Sequence, residues 1–181
     1  MICFASKAQI NVGVKAGGNL ARFLSLEPKL GFHGGLMAET SIFEKRVLRA
    51  ELVLSKKGVK MPSATYVHGQ YLNTNVDADF WYLELPLMLK FHLFDRLSIM
   101  PGFQVGAQLD RNIVLTDTEG TAEFYGDRKF EYSLLGGLAY DFDTIPISLD
   151  SRFTWSFIGS GVDQTAYQIG VGWWFNRSFD F

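Results

Sequence analysis

Between Phe80 and Leu109 a large apolar residue recurs at almost every second position, and this rhythm restricts the chain more than any other feature. Leu83, Leu85, Leu87, Leu89, Phe91 and Leu93 alternate with Glu84, Pro86, Met88, Lys90 and His92. Beyond Phe94-Asp95-Arg96, the residues Leu97, Ile99, Phe103, Val105, Ala107 and Leu109 alternate with Ser98, Met100, Gly102, Gln104, Gly106 and Gln108. A period of two is the signature of a β-strand, whose side chains point to opposite faces in turn. One face is therefore an unbroken apolar ladder, while the other carries charge, amide, imidazole and glycine. Such strands separate an oily environment from a polar one, and their length approaches the roughly 9–11 residues that cross a bilayer at a tilt. The pattern predicts a membrane-spanning sheet in an outer membrane.

The rhythm recurs along the whole chain. It places Ile10, Val12, Val14, Ala16 and Leu20 on one face of a first strand, Leu30, Phe32, Leu36 and Ala38 on a second, and Leu48, Ala50, Leu52 and Leu54 on a third. Three more strands follow the Phe80–Leu109 pair, with Leu134 and Leu138, Leu149 and Phe153, and Ile169 and Val171 on their apolar faces. About eight strands result, the smallest common size of a closed antiparallel up-and-down transmembrane barrel. Directly paired residues share a face, so apolar parity fixes whether each hairpin loop is odd or even. Parity is kept across Phe94–Arg96, a three-residue turn, and switched across Asp143–Pro146, a four-residue one. Tight turns at Ser41–Arg46, Phe94–Arg96 and Asp143–Pro146 alternate with long polar stretches at Lys56–Asp79 and Asp110–Arg128, as outer-membrane barrels alternate periplasmic turns with extracellular loops. Pro86 and Pro101 each remove a ladder donor, which predicts a bulge where they come close.

Composition narrows the alternatives. No apolar stretch reaches the roughly 18 residues of a membrane helix. A net charge of −2 argues against a nucleic-acid partner, and Cys3, the single cysteine, allows no internal disulfide. Ser6-Lys7-Ala8 suits signal-peptidase cleavage, so residues 1–8 read as the remnant of a signal peptide and 9–181 as one barrel domain. The competing architecture is a soluble lipocalin-like or avidin-like barrel, which would turn the apolar ladder inward around a hydrophobic ligand.

Gly13-Val14-Lys15-Ala16-Gly17 with Asn19, the segment Tyr82-Leu83-Glu84-Leu85-Pro86-Leu87-Met88-Leu89-Lys90, the later Leu135-Gly136-Gly137-Leu138 and the aromatic C-terminus resemble the outer-membrane β-barrel domain proteins of Bacteroidota, the porin-family or PorT-like type. The resemblance spans Gln9 to Phe181. It implies an eight-stranded outer-membrane barrel inserted by the barrel-assembly machinery, with Phe181 and Phe179 as the assembly signal. Arg177 departs from the apolar alternation that such terminal strands keep. A part in protein secretion follows from the resemblance alone.

Polar parity collects Lys15, His33, Glu39, Arg49, Glu51, Glu84, Lys90, His92, Glu131, Asp150 and Arg152 on the inward face. An eight-stranded barrel is just wide enough inside for side chains to fill, so these groups are expected to form a paired network that plugs the lumen; a proton or ion path along them is the alternative. His33 and His92 stand on separate strands with no cysteine nearby, which predicts no metal site. A hydrolase site would need a nucleophile beside a base with an orienting third group, and none of His33, His68 or His92 is followed by Ser two residues on, as in small barrels that deacylate lipid; no enzyme and no cofactor are expected. Tyr66, His68, Tyr71, Phe124 and Tyr125 fall in the two long stretches and are candidates for binding a protein or glycan there. Outward aromatics, with Phe43, Phe94, Phe142, Trp173, Phe175 and Phe179 toward the turns and Phe23, Trp81, Phe130 and Phe157 toward the loops, would form the two interfacial girdles. The expected partners are outer-membrane lipid and the assembly machinery, and the expected state is a monomer.

Overall fold

A computed structural model describes residues 10–23, 27–43, 46–67, 70–115, 130–158 and 162–176. Eight strands run β1 (Ile10–Phe23), β2 (Glu27–Phe43), β3 (Arg46–Val67), β4 (Gln70–His92), β5 (Leu97–Leu115), β6 (Phe130–Asp141), β7 (Ile147–Ile158) and β8 (Val162–Trp174). Each pairs antiparallel with the next, and β8 pairs with β1, so the sheet closes into the expected up-and-down barrel. Closure removes the free edges that an open sheet would present. At the seam, Val14 faces Trp173 and Leu20 faces Tyr167. Just past β8 the Asn176 side chain bridges two backbone groups of β1, donating to the Ile10 carbonyl at 2.8 Å and accepting from the Val12 N–H at 2.7 Å.

The alternation read from the sequence is the alternation of the wall. Leu30, Leu36, Leu85, Phe103, Leu134, Phe153, Ile169 and Trp173 stand exposed on the outside. Their strand neighbours His33, Met37, Glu84, Gln104, Ser133, Arg152, Gln168 and Trp174 are buried inside. An apolar exterior around a polar interior is the reverse of a soluble ligand-binding barrel. Phe94, Phe130, Phe157 and Phe175 are exposed as the girdles require, while Trp81 and Phe142 are half-buried.

Two expectations are corrected. The stretch Lys56–Asp79 is not a loop: β3 and β4 stay in register from Lys56↔Trp81 to Val67↔Gln70, and β5 follows β4 as far as Val76↔Leu115. Polar residues can continue a ladder once both faces meet water, because the hydrogen bonds are made by backbone and ask nothing of the side chains. Beyond Lys60, the last residue that β2 pairs, seven residues of β3 carry the hairpin roughly 23 Å farther along the strand. Tyr66 and Tyr71 consequently face each other as a ladder pair near the tip. His68, Phe124 and Tyr125 lie outside the described residues, as do residues 1–8, Phe179 and Phe181.

No bulge marks Pro86 and Pro101. Pairing lapses between Ala50↔Leu87 and Val53↔Glu84, and again between Met88↔Gly102 and Phe91↔Ile99, yet register is the same on both sides of each gap. A missing N–H deletes a bond, whereas a bulge needs an extra residue in one strand. The β4–β5 irregularity falls instead at Trp81/Tyr82, level with the outer girdle.

The two turns are as parity required. The Leu93 N–H donates to the Leu97 carbonyl at 2.9 Å around Phe94–Arg96, and the Phe142 N–H donates to the Ile147 carbonyl at 3.1 Å around Asp143–Pro146. Leu85 sits near the middle of the apolar band with half of its surface exposed. Leu85→Arg is expected to cost about 2–4 kcal/mol in denaturant-monitored folding into lipid vesicles, with Leu85→Ile near neutral; equal stability of the two variants would place this face away from lipid.

Candidate functional site

The interior is built by alternating long and small side chains around the barrel. Lys15 stands between Gly35 and Gly172, Asp150 opposite Gly170, Arg152 opposite Gly137, and Gly106 separates Glu84 from Glu131. A Cβ on Gly17 would come within 2.8 Å of the His33 ring, so that glycine makes the space the imidazole fills. Small barrels commonly need this pairing of large with small because their lumen is so narrow.

Ten of the eleven inward candidates, Lys15, His33, Glu39, Arg49, Glu51, Glu84, Lys90, Glu131, Asp150 and Arg152, are buried in this interior. His92 is half-buried beside the periplasmic turn and is not part of the cluster. Four cations and four carboxylates interlock in the lower layer. Lys15 Nζ lies 2.9 Å from Asp150 Oδ1 and 3.4 Å from Glu51 Oε2. Arg152 Nη2 spans Glu51 at 2.8 Å and Asp150 at 3.0 Å. Arg49 Nε is 3.0 Å from Glu51 and 3.7 Å from Glu39, and Lys90 Nζ joins Glu39 at 3.1 Å to Asp141 at 2.5 Å. The Arg49 guanidinium is also held by sulfur and an aromatic face: Nη2 donates to Met37 Sδ at 3.0 Å, and the group lies 5.5 Å from the Trp174 ring.

The upper layer is built differently. Lys57 Nζ meets Glu84 at 2.6 Å and Glu131 at 3.0 Å, and lies over the Tyr82 ring. Ser156 and Ser133 donate to the same Glu131 oxygen at 2.6 and 3.1 Å. Here two carboxylates share one ammonium and two hydroxyls. Lys57 and Asp141 were not among the sequence candidates. Lys57 continues the inward parity of Glu51, Val53 and Ser55, which was the available signal, but it falls where the sequence suggested that the third strand had ended.

A separate charged group stands on the outside above the apolar band. Asp79 accepts from Lys29 at 2.8 Å and pairs with Lys56 at 2.9 Å. Partial burial pushes the Asp79 carboxyl up, but the two lysine hydrogen bonds outweigh it and hold the group below the usual carboxylate range. At the opposite end Arg96 and Asp143 tie two turns together at 2.6 Å. Among the described residues, no three His, Cys, Asp or Glu side chains are arranged to hold a metal ion.

The family model described as outer membrane protein beta-barrel domain matches residues 4–160. No match is found among curated proteins. Among solved structures the chain is similar to Ail, the attachment invasion locus protein of Yersinia pestis, solved in complex with the heparin analogue sucrose octasulfate. That match has a TM-score of 0.56 and 15% identity over 92% of this chain and 99% of that one. It is also similar to Neisserial surface protein A, at a TM-score of 0.56 and 15% identity over 91% of this chain and 96% of that one. At such identity the likeness speaks to the fold alone.

The upper layer offers a direct test of pairing. Lys57→Met leaves Glu84 and Glu131 without their shared cation and should lower stability by about 3–5 kcal/mol. Lys57→Met combined with Glu84→Gln should recover part of that loss. Urea midpoints in vesicles measure both, and a double variant as unstable as the single one would show that the cost is one of packing alone.

Proposed function

The chain belongs to the outer membrane protein beta-barrel domain family and resides in the outer membrane, and from that premise we propose that it is a non-enzymatic barrel whose lumen is closed and whose extracellular hairpin does its work. The lower layer of the interior carries this reading. Lys15, Arg49, Lys90 and Arg152 are each paired with carboxylates and buried, in a barrel of the size whose interior side chains can fill. Buried charges must be paired, and the pairing of that layer supports a lumen without an open passage. General diffusion channels need about 16–18 strands.

With the lumen closed, the β3–β4 ladder beyond Lys60 is, among the described residues, the feature that reaches farthest along the strands. A rigid barrel carrying an extended sheet suits recognition, since binding groups are commonly displayed on segments fixed by a scaffold. The partner is proposed to be a protein or glycan, with Tyr66 and Tyr71 at the tip. Insertion by the barrel-assembly machinery, a monomeric state and the PorT-like, Bacteroidota type belong to the same proposal, the last supported by the Tyr82–Lys90 segment.

Two measurements test it. The purified chain in planar bilayers should show no large steady conductance, and porin-sized openings would contradict the closed lumen. Replacing residues 63–75 with a short Gly/Ser turn should leave a heat-modifiable barrel while abolishing partner capture on cells. Capture that survives the replacement would move recognition to another surface.

A further inference from the structure

The outer wall of β1, β2 and β3 carries three cations above the apolar band. On β1, Arg22 follows Leu20 on the outward parity and is exposed. On β3, Lys56 continues the outward run of Leu48, Ala50, Leu52 and Leu54. On β2, the shift in register between Lys29 and Phe32 sets Lys29 opposite Gly58, the residue that also faces Asp79, and so brings its ammonium to that carboxylate. Asp79 thereby gathers both lysines from neighbouring strands, and their side chains keep 24% and 31% of their surface exposed. Asp79 pairs with both ammonium groups, and Arg22 follows Ala21, the cross-strand partner of Lys29.

The height of this group is marked by the aromatic pair beneath it. Phe32 and Trp81 meet edge to face at 5.6 Å, and Trp81 is the cross-strand partner of Lys56. Tryptophan collects where the apolar interior of a membrane gives way to headgroups. The cations therefore stand at the level of the headgroups of the outer leaflet and face outward, not into the lumen.

We propose that Arg22, Lys29 and Lys56 form a binding site for the phosphate-bearing headgroup of an outer-leaflet lipid, with Phe32 and Trp81 packing on the upper part of its acyl chains. Phosphate matches a set of separate cations because its oxygens accept from several donors at once. The site is independent of partner capture by the hairpin.

The test uses the full chain in phosphatidylcholine bilayers with trace spin-labelled phosphatidic acid or phosphatidylcholine. The fraction of label immobilised at the protein surface gives the relative association constant. Phosphatidic acid should be preferred by about fivefold for each engaged cation, falling with salt. The exposed double variant Arg22→Gln/Lys56→Gln should bring the preference close to parity, and Asp79→Asn should increase it, with heat-modifiable migration confirming that both are folded. Parity in the unaltered chain, or a preference unchanged in the double variant, would overturn the proposal. Uptake of inorganic phosphate or heparin from solution without any lipid preference would overturn it too, by assigning the cations to a soluble anion.

Discussion

Closure of the backbone ladder is the constraint on which everything else here depends. Within hydrocarbon no water is available to satisfy an unpaired N–H or C=O, so a spanning sheet must have no edge. The β1–β8 seam meets that requirement, and Asn176 extends the pairing one step past the end of β8 by bridging Ile10 and Val12. The same demand explains how the two prolines are accommodated. Each deletes ladder bonds without changing register, because a register change would turn every later apolar side chain from the lipid face to the lumen.

Eight strands closed in this way leave a narrow interior, and the charges inside follow from its width. Inward positions hold long polar side chains where the cross-strand neighbour is glycine, as at Lys15 between Gly35 and Gly172. Once packed, each charge lies within reach of an opposite one, and the cost of leaving any of them unpaired binds strands distant in sequence to one another. Arg49 on β3 illustrates the point, touching Glu51 on its own strand, Met37 on β2 and the Trp174 ring on β8. The charges act as an internal brace.

Outside the membrane the rules relax. Water can satisfy backbone groups there, so the extended hairpin needs no partner on the β2 side of β3 beyond Lys60. The outward parity that carries Leu52 and Leu54 in lipid carries Lys56 at the rim, and a single strand rhythm thereby serves two solvents. Two register irregularities fall at that boundary, between Lys29 and Phe32 and at Trp81/Tyr82, and a third lies at the opposite end, between Ser41 and Phe43.

The period of two determined by itself the strand faces, the barrel class, the lengths of the Phe94–Arg96 and Asp143–Pro146 turns, and the inward position of residues such as Glu51 and Arg152. These were legible because alternation is local, with each residue's face fixed by its neighbours in the chain. Only the tertiary structure decided which charges meet, since Lys57 and Glu131 lie far apart in sequence and are joined by the curvature of the wall. It alone decided where β3 and β4 end: their distal residues are held by hydrogen bonds between backbones, which any side chain permits and no hydropathy pattern records. For the same reason Lys57 read as loop, and Lys29, Lys56 and Asp79 became a cluster only when register set three strands side by side.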